Sequence, residues 1–146
     1  MTEGKNTREA WPVSRRFVWP VRVYHEDTDG QGVVYYANYL KFMERARTEW
    51  LRAMGVEQTA LLQEHGLIFA VVHIEANYRR PARYGELLQT TCAVEDAARA
   101  SLTFKQEIFR DRLEGDLLLE GRVRVACLDA ASHRPRALPA SVLQEI

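Results

Sequence analysis

The alternation of apolar and polar positions changes its period along the chain and divides it into predicted elements. From Phe17 to Val23, apolar side chains occupy every second position, which predicts a half-buried strand. Pro20 lacks a backbone N–H, so this strand is expected at or near the edge of a sheet. The residues before it are polar and aperiodic, and we therefore expect a flexible N-terminal tail over residues 1–16 and one domain over residues 17–146.

After this strand and a turn-rich segment, apolar residues recur every three or four positions and predict a helix of about four turns. Asn38 is expected to cap the beginning of this helix, and Gly55 is expected to end it. A shorter helix is predicted over residues 57–64, ending at Gly66. The apolar face of the longer helix is formed by Tyr39, Phe42, Met43, Ala46, Trp50 and Met54.

The second half of the chain is dominated by strand-like alternation, which is clearest between Leu117 and Cys127. A long helix beside five strands predicts an α+β fold in which an antiparallel sheet packs around the helix. Because such a sheet has open edges, we expect pairing between subunits. The four strands of this half are predicted over residues 67–78, 86–94, 102–108 and 117–127, and a final short helix over residues 141–146.

The 146 residues suffice for one domain, and their composition narrows the possible partners. Twenty basic and twenty acidic residues cancel, which argues against a nucleic-acid-binding protein and against attachment to a membrane by charge. The longest apolar run, residues 67–72, is far shorter than the ~20 residues of a membrane span, and the N-terminal segment lacks the apolar core of a signal peptide. Cys92 and Cys127 lie in apolar strands and are expected to be buried thiols, so we predict a cytoplasmic protein.

The segment between the first strand and the long helix carries the candidate chemistry. Residues 26–39 contain three acidic residues, two glycines and one asparagine, and they lead into the N-terminus of a helix. Free N–H groups and the positive dipole end of a helix can stabilise an oxyanion, and a carboxylate beside them can act as a nucleophile or as a general base. Asp and Gly are also ordinary turn residues, so the residues alone leave open whether Asp27 or Asp29 only closes the loop.

Other reactive groups show no recognisable arrangement. The segment that begins at Asp27 starts like a calcium loop, but its twelfth position is Asn38 instead of a bidentate Glu, and a strand precedes it. The four histidines lack the spacing of metal ligands, and no serine lies in a nucleophile motif. We therefore expect neither a metal nor a redox cofactor.

Two further features stay open from the residues alone. Glu44 lies on the predicted helix and either faces a cleft beside the acidic loop or is a solvated surface carboxylate. Arg79, Arg80 and Arg83 surround Pro81 on a predicted turn, where they either bind a phosphate or connect two strands in solvent.

A long motif resembles a known family. The run VRVYHEDTDGQGVVYYANYLKFMERARTEW at residues 21–50 is similar to the hotdog-fold acyl-CoA thioesterases of the 4-hydroxybenzoyl-CoA thioesterase family, and within it to the YbgC type associated with the Tol-Pal cell-envelope system. The segments YRRPAR at residues 78–83 and RPRALP at residues 134–139 resemble the same subgroup. The resemblance covers residues 17–146 and implies a long central helix wrapped by a five-stranded antiparallel sheet, with subunits paired edge to edge into a homodimer or homotetramer.

The resemblance also implies an activity and assigns residues to it. The thioester of an acyl-CoA, or of an acyl group on an acyl carrier protein, would be hydrolysed without a cofactor. Asp29 is expected to attack the thioester carbonyl or to activate water, and the backbone N–H of Tyr36 to contact the oxyanion. The substrate-binding residues implied by this similarity are Gly32, Val34, Asn38, which would brace the loop, Arg79, Arg80 and Arg83.

One residue departs from the family pattern, and three alternatives remain. Many YbgC-type members have His at the position of Tyr36, so we expect no acid–base role for its side chain, whereas the backbone contact survives the change. A hotdog hydratase or dehydratase would need a catalytic His in the cleft. A non-catalytic protein would bind acyl-CoA or acyl carrier protein within a Tol-Pal or lipid-synthesis complex. In the third alternative, the protein is still a hotdog enzyme, but its essential carboxylate is Glu44 instead of Asp29.

Overall fold

The structure, a computed structural model, describes residues 16–144. A 3₁₀ turn at His25–Asp27 follows the first strand and begins the loop that leads into the long helix. The elements in chain order are β1 (Phe17–Arg22), α1 (Asn38–Ala53), α2 (Gln58–His65), β2 (Leu67–Tyr78), β3 (Leu87–Ala98), β4 (Ser101–Arg110), β5 (Leu117–Asp129) and α3 (Ala140–Leu143).

The strands form one five-stranded sheet in the order β1-β3-β4-β5-β2, and all neighbours are antiparallel. This arrangement confirms the predicted α+β fold. The strand that contains Pro20 lies at one edge of the sheet, as the missing N–H predicted. The other edge is β2, whose residues 71–75 are all exposed.

The long helix α1 packs mainly against β1 and β3 and buries Phe42, Met43 and Ala46 completely. Its buried face differs from the predicted one near the C-terminus. Trp50 and Met54 are only partly buried, whereas Arg47 and Leu51 take their places in the interior. The helix covers β5 and β2 less than it covers β1 and β3.

The ends of α1 show one correct prediction and one wrong one. Gly55 has a φ of 81° and donates its N–H to Arg52 O (2.9 Å), while Val56 N donates to Leu51 O (2.9 Å). This is the Schellman arrangement, which confirms that the helix ends before Gly55. The predicted N-cap is wrong, because Asn38 is the first helical residue. Its side chain makes a hydrogen bond to the loop that precedes the helix.

Burial on the second face of β4 exceeds the prediction. The expected inward residues of this strand are buried, but Lys105 and Glu107, which alternate with them, are buried as well. The guanidinium of Arg16 donates to the Glu107 carboxylate (3.1 Å) and also to that of Glu114. Arg16 is thus anchored on the sheet, whereas the rest of the predicted tail and residues 145–146 of the predicted last helix lie outside the described residues.

Both cysteines are buried free thiols, as their positions in apolar strands predicted. Burial raises the pKa of the Cys92 thiol far above its usual range, so this group remains protonated and unreactive at neutral pH. Across residues 16–144, no helix combines the length and the apolar character that crossing a membrane requires.

Candidate active site

The loop between β1 and α1 folds back on itself and presents Asp29 near its tip. A β-bridge pairs Thr28 with Val34, and Asp29 N donates to Val33 O (2.8 Å). Gly32 N donates to Asp29 O (3.2 Å) and closes the turn. Gly32 has a φ of 83°, a left-handed conformation that disfavours any residue with a Cβ. Glycine is therefore needed here to let the chain reverse.

The two candidate carboxylates of the loop have different surroundings. Asp27 is buried, and its Oδ2 accepts a hydrogen bond from Tyr24 N (2.8 Å). Asp29 is partly exposed, and its Oδ1 accepts from Gln31 N (2.7 Å) and, at a longer distance, from Val33 N (3.4 Å). Within residues 16–144, the Oδ2 atom of Asp29 has no hydrogen-bond partner. Asp27 is thus a structural residue, and Asp29 keeps one carboxylate oxygen available for chemistry.

The backbone N–H of Tyr36 is also unpaired. It precedes the first turn of α1, and no acceptor for it is found in the part of the chain that the structure describes. Tyr36 O, in the peptide that follows, accepts a hydrogen bond from the Tyr78 hydroxyl (2.9 Å), which anchors the chain next to this N–H. The Asn38 amide donates to Asp27 O (2.9 Å) and ties the start of the helix to the acidic loop. A free N–H at a helix N-terminus is suited to a carbonyl oxygen that gains negative charge.

A shallow pocket of about 290 Å³, which we call the tyrosine pocket, has Tyr36 in its lining. It brings together four of the residues predicted from the sequence: Val34, Tyr36, Arg79 and Arg80. Its other walls are Tyr39, Tyr78 and Pro81. Burial raises the pKa of the Tyr39 and Tyr78 hydroxyls, so both remain neutral hydrogen-bond donors. Asp29, Gly32, Asn38 and Arg83 do not line this pocket.

The three arginines of the predicted basic turn are not equivalent. Arg79 donates to the Glu120 carboxylate from Nε (3.0 Å) and Nη2 (2.7 Å), and Arg80 contacts Asp116 (3.3 Å). The guanidinium of Arg83 has no partner among residues 16–144, and its backbone pairs with Val33 in the acidic loop. Because exposed ion pairs contribute little free energy, Arg79 and Arg80 can exchange their carboxylates for a phosphate.

His25 and Glu44 have their own contacts, which do not include Asp29. His25 stacks its ring on that of Tyr84, with centroids 3.8 Å apart and planes 10° from parallel. Glu44 is exposed on α1, accepts a hydrogen bond from the Thr48 hydroxyl (3.1 Å) and borders a different cavity, to which the acidic loop contributes no residue. The cavity that Glu44 borders is therefore separate from the lining of the tyrosine pocket beside the acidic loop. No group of residues between 16 and 144 is arranged to hold a metal ion.

Sequence reasoning missed two residues of interest. Tyr78 supports the Tyr36 peptide through its hydroxyl, but a tyrosine at the end of a strand gives no signal of such a role. Arg47 is buried under α1 and borders the same cavity as Glu44. Its signal was present in the sequence, since position 47 falls on the apolar face of the predicted helix, where a cation is unexpected.

The fold and the loop define a protein of the hotdog thioesterase class, and comparison with known proteins agrees. Residues 23–146 match the thioesterase-like superfamily. The acyl-CoA thioester hydrolase YbgC of Escherichia coli O157:H7 is 44% identical over 129 residues, which cover 88% of this chain and 94% of that protein. The acyl-CoA thioesterase YbgC of Haemophilus influenzae is 42% identical over 126 residues, covering 86% and 90%.

Solved structures support the same assignment. A probable thioesterase from Bartonella henselae is 35% identical and superimposes with a TM-score of 0.78 over 85% of this chain and 99% of that chain. The 1,4-dihydroxy-2-naphthoyl-CoA thioesterase from Synechocystis, at 23% identity, shares the fold with a TM-score of 0.82 over 90% and 95%. The chain belongs to the thioesterase-like superfamily and, within it, to the YbgC-type hotdog thioesterases. This membership confirms the expected enzyme class.

Proposed function

We propose that the protein hydrolyses acyl-CoA thioesters, with Asp29 as the reacting carboxylate and the N–H of Tyr36 as the oxyanion donor. The observation that carries this proposal is the pairing of two unsatisfied groups on one loop. The Asp29 carboxylate has a free oxygen, and the Tyr36 N–H lies free at the N-terminus of α1. The relatives named as acyl-CoA thioesterases support the same substrate class.

The reaction needs only these groups and water. The Tyr36 N–H and the helix dipole stabilise the negative charge that develops on the thioester carbonyl oxygen. Asp29 either takes a proton from the attacking water or attacks the carbonyl carbon itself, forming an anhydride that water then opens. In both routes the C–S bond breaks, the thiolate leaves and is protonated, and the free acid and CoA are released. Gln31 N is hydrogen-bonded to Oδ1, so the other oxygen of Asp29 is the one that reacts.

The CoA moiety would be bound by the basic turn. Arg83 is next to the acidic loop, and its guanidinium has no partner in the described part of the chain, so it is the first candidate for a CoA phosphate. Arg79 and Arg80 line the tyrosine pocket and would join it by exchanging their carboxylates. Gly32 and Asn38 act indirectly by shaping the loop, and Val34 contributes an apolar wall to the pocket.

The test of this function is thiol release from a panel of acyl-CoAs, from acetyl-CoA to palmitoyl-CoA together with benzoyl-type thioesters. Cleavage of one class above the rate of the uncatalysed reaction supports the proposal. Binding of acyl-CoA or acyl carrier protein without cleavage would instead favour a non-catalytic partner in an envelope or lipid-synthesis complex. Hydration of an enoyl-CoA without thiol release would favour a hydratase.

We further propose that two subunits pair through their β2 strands. The sheet has two free edges, and β1 is short and contains Pro20, whereas β2 spans 12 residues. Apolar side chains on β2, including Val71, Val72 and Ile74, are 38% to 50% exposed. An antiparallel pairing of two β2 edges would satisfy the open N–H and C=O groups and cover these side chains.

A double substitution tests this pairing. Val72→Lys/Ile74→Lys is expected to convert an assembly of at least two 16.8 kDa chains into a monomer at micromolar concentration, because charges are placed on the buried edge. Light scattering coupled to size exclusion measures the mass. Leu62→Lys is the matched control, since Leu62 is equally exposed but lies on α2. A double variant that keeps the wild-type mass contradicts the pairing.

A further inference from the structure

Arg47 is a buried cation without a counter-charge. Only 8% of its surface is exposed, and within residues 16–144 its guanidinium makes one hydrogen bond, from Nη1 to Gln106 Oε1 (3.0 Å). No carboxylate of the described chain forms an ion pair with it, and Glu44 attracts it only from a longer distance. A guanidinium stays charged in proteins, and among residues 16–144 its Nε and Nη2 donors have no acceptor.

Gln106 fixes the position of this guanidinium. It is fully buried in β4, and its Nε2 donates to Met43 O (3.0 Å) and to Thr91 O (3.1 Å). Because the amide nitrogen donates to both carbonyl oxygens, the orientation of the Gln106 amide is determined, and its Oε1 faces Arg47. The guanidinium of Arg47 is therefore held between α1 and the sheet by a hydrogen-bonded Gln106 side chain. Burying an unpaired charge in this way is costly, and such a charge is usually matched by a ligand or a partner group.

The guanidinium borders a cavity of about 110 Å³ with apolar walls, which we call the Arg47 cavity. A volume of this size suits one short aliphatic segment, since it is smaller than the apolar cavity of about 150 Å³ that holds benzene. Besides Arg47, its polar lining residues are Glu44, Thr48 and Gln58. The walls are formed by Leu51 of α1, Phe69 and Val71 of β2, Leu102 and Phe104 of β4 and Val125 of β5.

We propose that the Arg47 cavity binds the acyl group and selects a short chain that ends in a carboxylate, so that the preferred substrates are CoA half-thioesters of short dicarboxylic acids. The free Nε and Nη2 donors point to a carboxylate because they form the planar fork that binds two oxygens side by side. A chain with an apolar end would displace water from Arg47 and leave the cation unpaired. This inference rests on the proposed function and names its substrate class.

The position of the cavity fits the proposed pairing of β2 edges. Val71 at the cavity and Tyr78 beside the Tyr36 peptide are seven residues apart on β2, which corresponds to about 23 Å. A short acyl group cannot span that distance within one chain. When two β2 strands pair antiparallel, the Phe69 end of one lies near the Tyr78 end of the other. The cavity of one subunit would then receive the acyl group of a thioester bound at the Asp29 loop of the other.

The test compares two thioesters of equal chain length, glutaryl-CoA and pentanoyl-CoA, by thiol release. The wild-type protein is expected to have a kcat/KM at least about tenfold higher for glutaryl-CoA, the effect of a hydrogen bond to a charged group. Arg47→Met should lower the value for glutaryl-CoA by about tenfold or more and leave that for pentanoyl-CoA unchanged or higher. The variant should fold, because Met replaces a buried cation that has no counter-charge.

Arg52→Met is the matched control. It removes one positive charge from the same helix, but Arg52 is exposed, pairs with Glu49 and Glu57 and lies outside the cavity. Its preference between the two thioesters should equal that of the wild type. Binding of the non-hydrolysable thioether analogues of both substrates, measured by calorimetry, gives a readout that does not require catalysis.

These measurements separate the two proposals. Arg47-dependent binding of the glutaryl analogue without any thiol release would overturn the thioesterase proposal and support the cavity. Equal cleavage of both thioesters by the wild type would overturn the inference and keep the thioesterase. Preference for 4-hydroxybenzoyl-CoA over both would likewise overturn the carboxylate specificity. The wild-type comparison decides the question even where Arg47→Met fails to fold.

Discussion

Asp29→Asn is expected to lower kcat for thioester hydrolysis by about 10²- to 10⁴-fold, the range for losing a general base or nucleophile. The amide of Asn can still accept a hydrogen bond from Gln31 N through its Oδ1, so the turn should keep its shape. What disappears is the negative charge and basicity of the free oxygen. Thiol release at saturating substrate measures the change, and the KM should move much less than kcat.

Two further substitutions make this expectation decisive. Glu26→Gln removes an exposed carboxylate from the same segment and should retain wild-type activity and thermal stability. Glu44→Gln tests the alternative carboxylate on α1. An Asp29→Asn variant as active as the wild type would exclude Asp29 from the reaction, and loss of activity in Glu44→Gln alone would transfer its role to Glu44.

Gly121→Ala is expected to lower the free energy of unfolding by about 3 kcal/mol, at the upper end of typical overpacking costs. Gly121 lies in the middle of β5, opposite Ala76 of β2 and Gln106 of β4. An added Cβ would overlap the carbonyl oxygen of Glu75 and lie 3.3 Å from Ala76 Cα. Because both contacts are with backbone, β2 would have to move away from β5.

Urea unfolding followed by circular dichroism measures this loss. Gly30→Ala is the control: no atom lies within 4 Å of its added Cβ, and its backbone is not left-handed. Its free energy of unfolding should change by less than about 1 kcal/mol. A Gly121→Ala variant as stable as Gly30→Ala would mean that β2 is not held as closely to β5 as the structure indicates. Because β2 is also the proposed interface, Gly121→Ala should weaken self-association as well as lower the free energy of unfolding.

The sequence predicted local elements well because their signals are local. The span of β2, residues 67–78, was predicted to the residue, and Gly55 marked the end of α1. The N-cap was wrong because the helix begins one residue earlier than expected, so Asn38 is already helical and its amide nitrogen donates to Asp27 O in the acidic loop. The second buried face of β4 was missed because alternation detects one apolar face and cannot detect charged residues that are buried in pairs, such as Glu107 with Arg16.

The candidate site was predicted in part. The acidic loop was recognised from its composition and from its family motif, but the residues left the roles of Asp27 and Asp29 interchangeable. Tertiary contacts separated them, since Asp27 is buried against Tyr24 and Asp29 is not. The expectation that Arg79, Arg80 and Arg83 act alike gave way to one unpaired cation, Arg83, because Glu120 and Asp116 come from distant parts of the chain.

The sequence by itself determined the order of strands and helices, the family, the acidic loop and its position before a helix. These depend on periodicity and on neighbours along the chain, which a single sequence contains. Only the tertiary structure decided that β2 forms the second edge of the sheet, and that Arg47 is buried beside a cavity to which the acidic loop contributes no residue. Those properties arise where α1 meets β4 and where β2 pairs with β5, and contacts between such distant segments leave no periodic signal in the sequence.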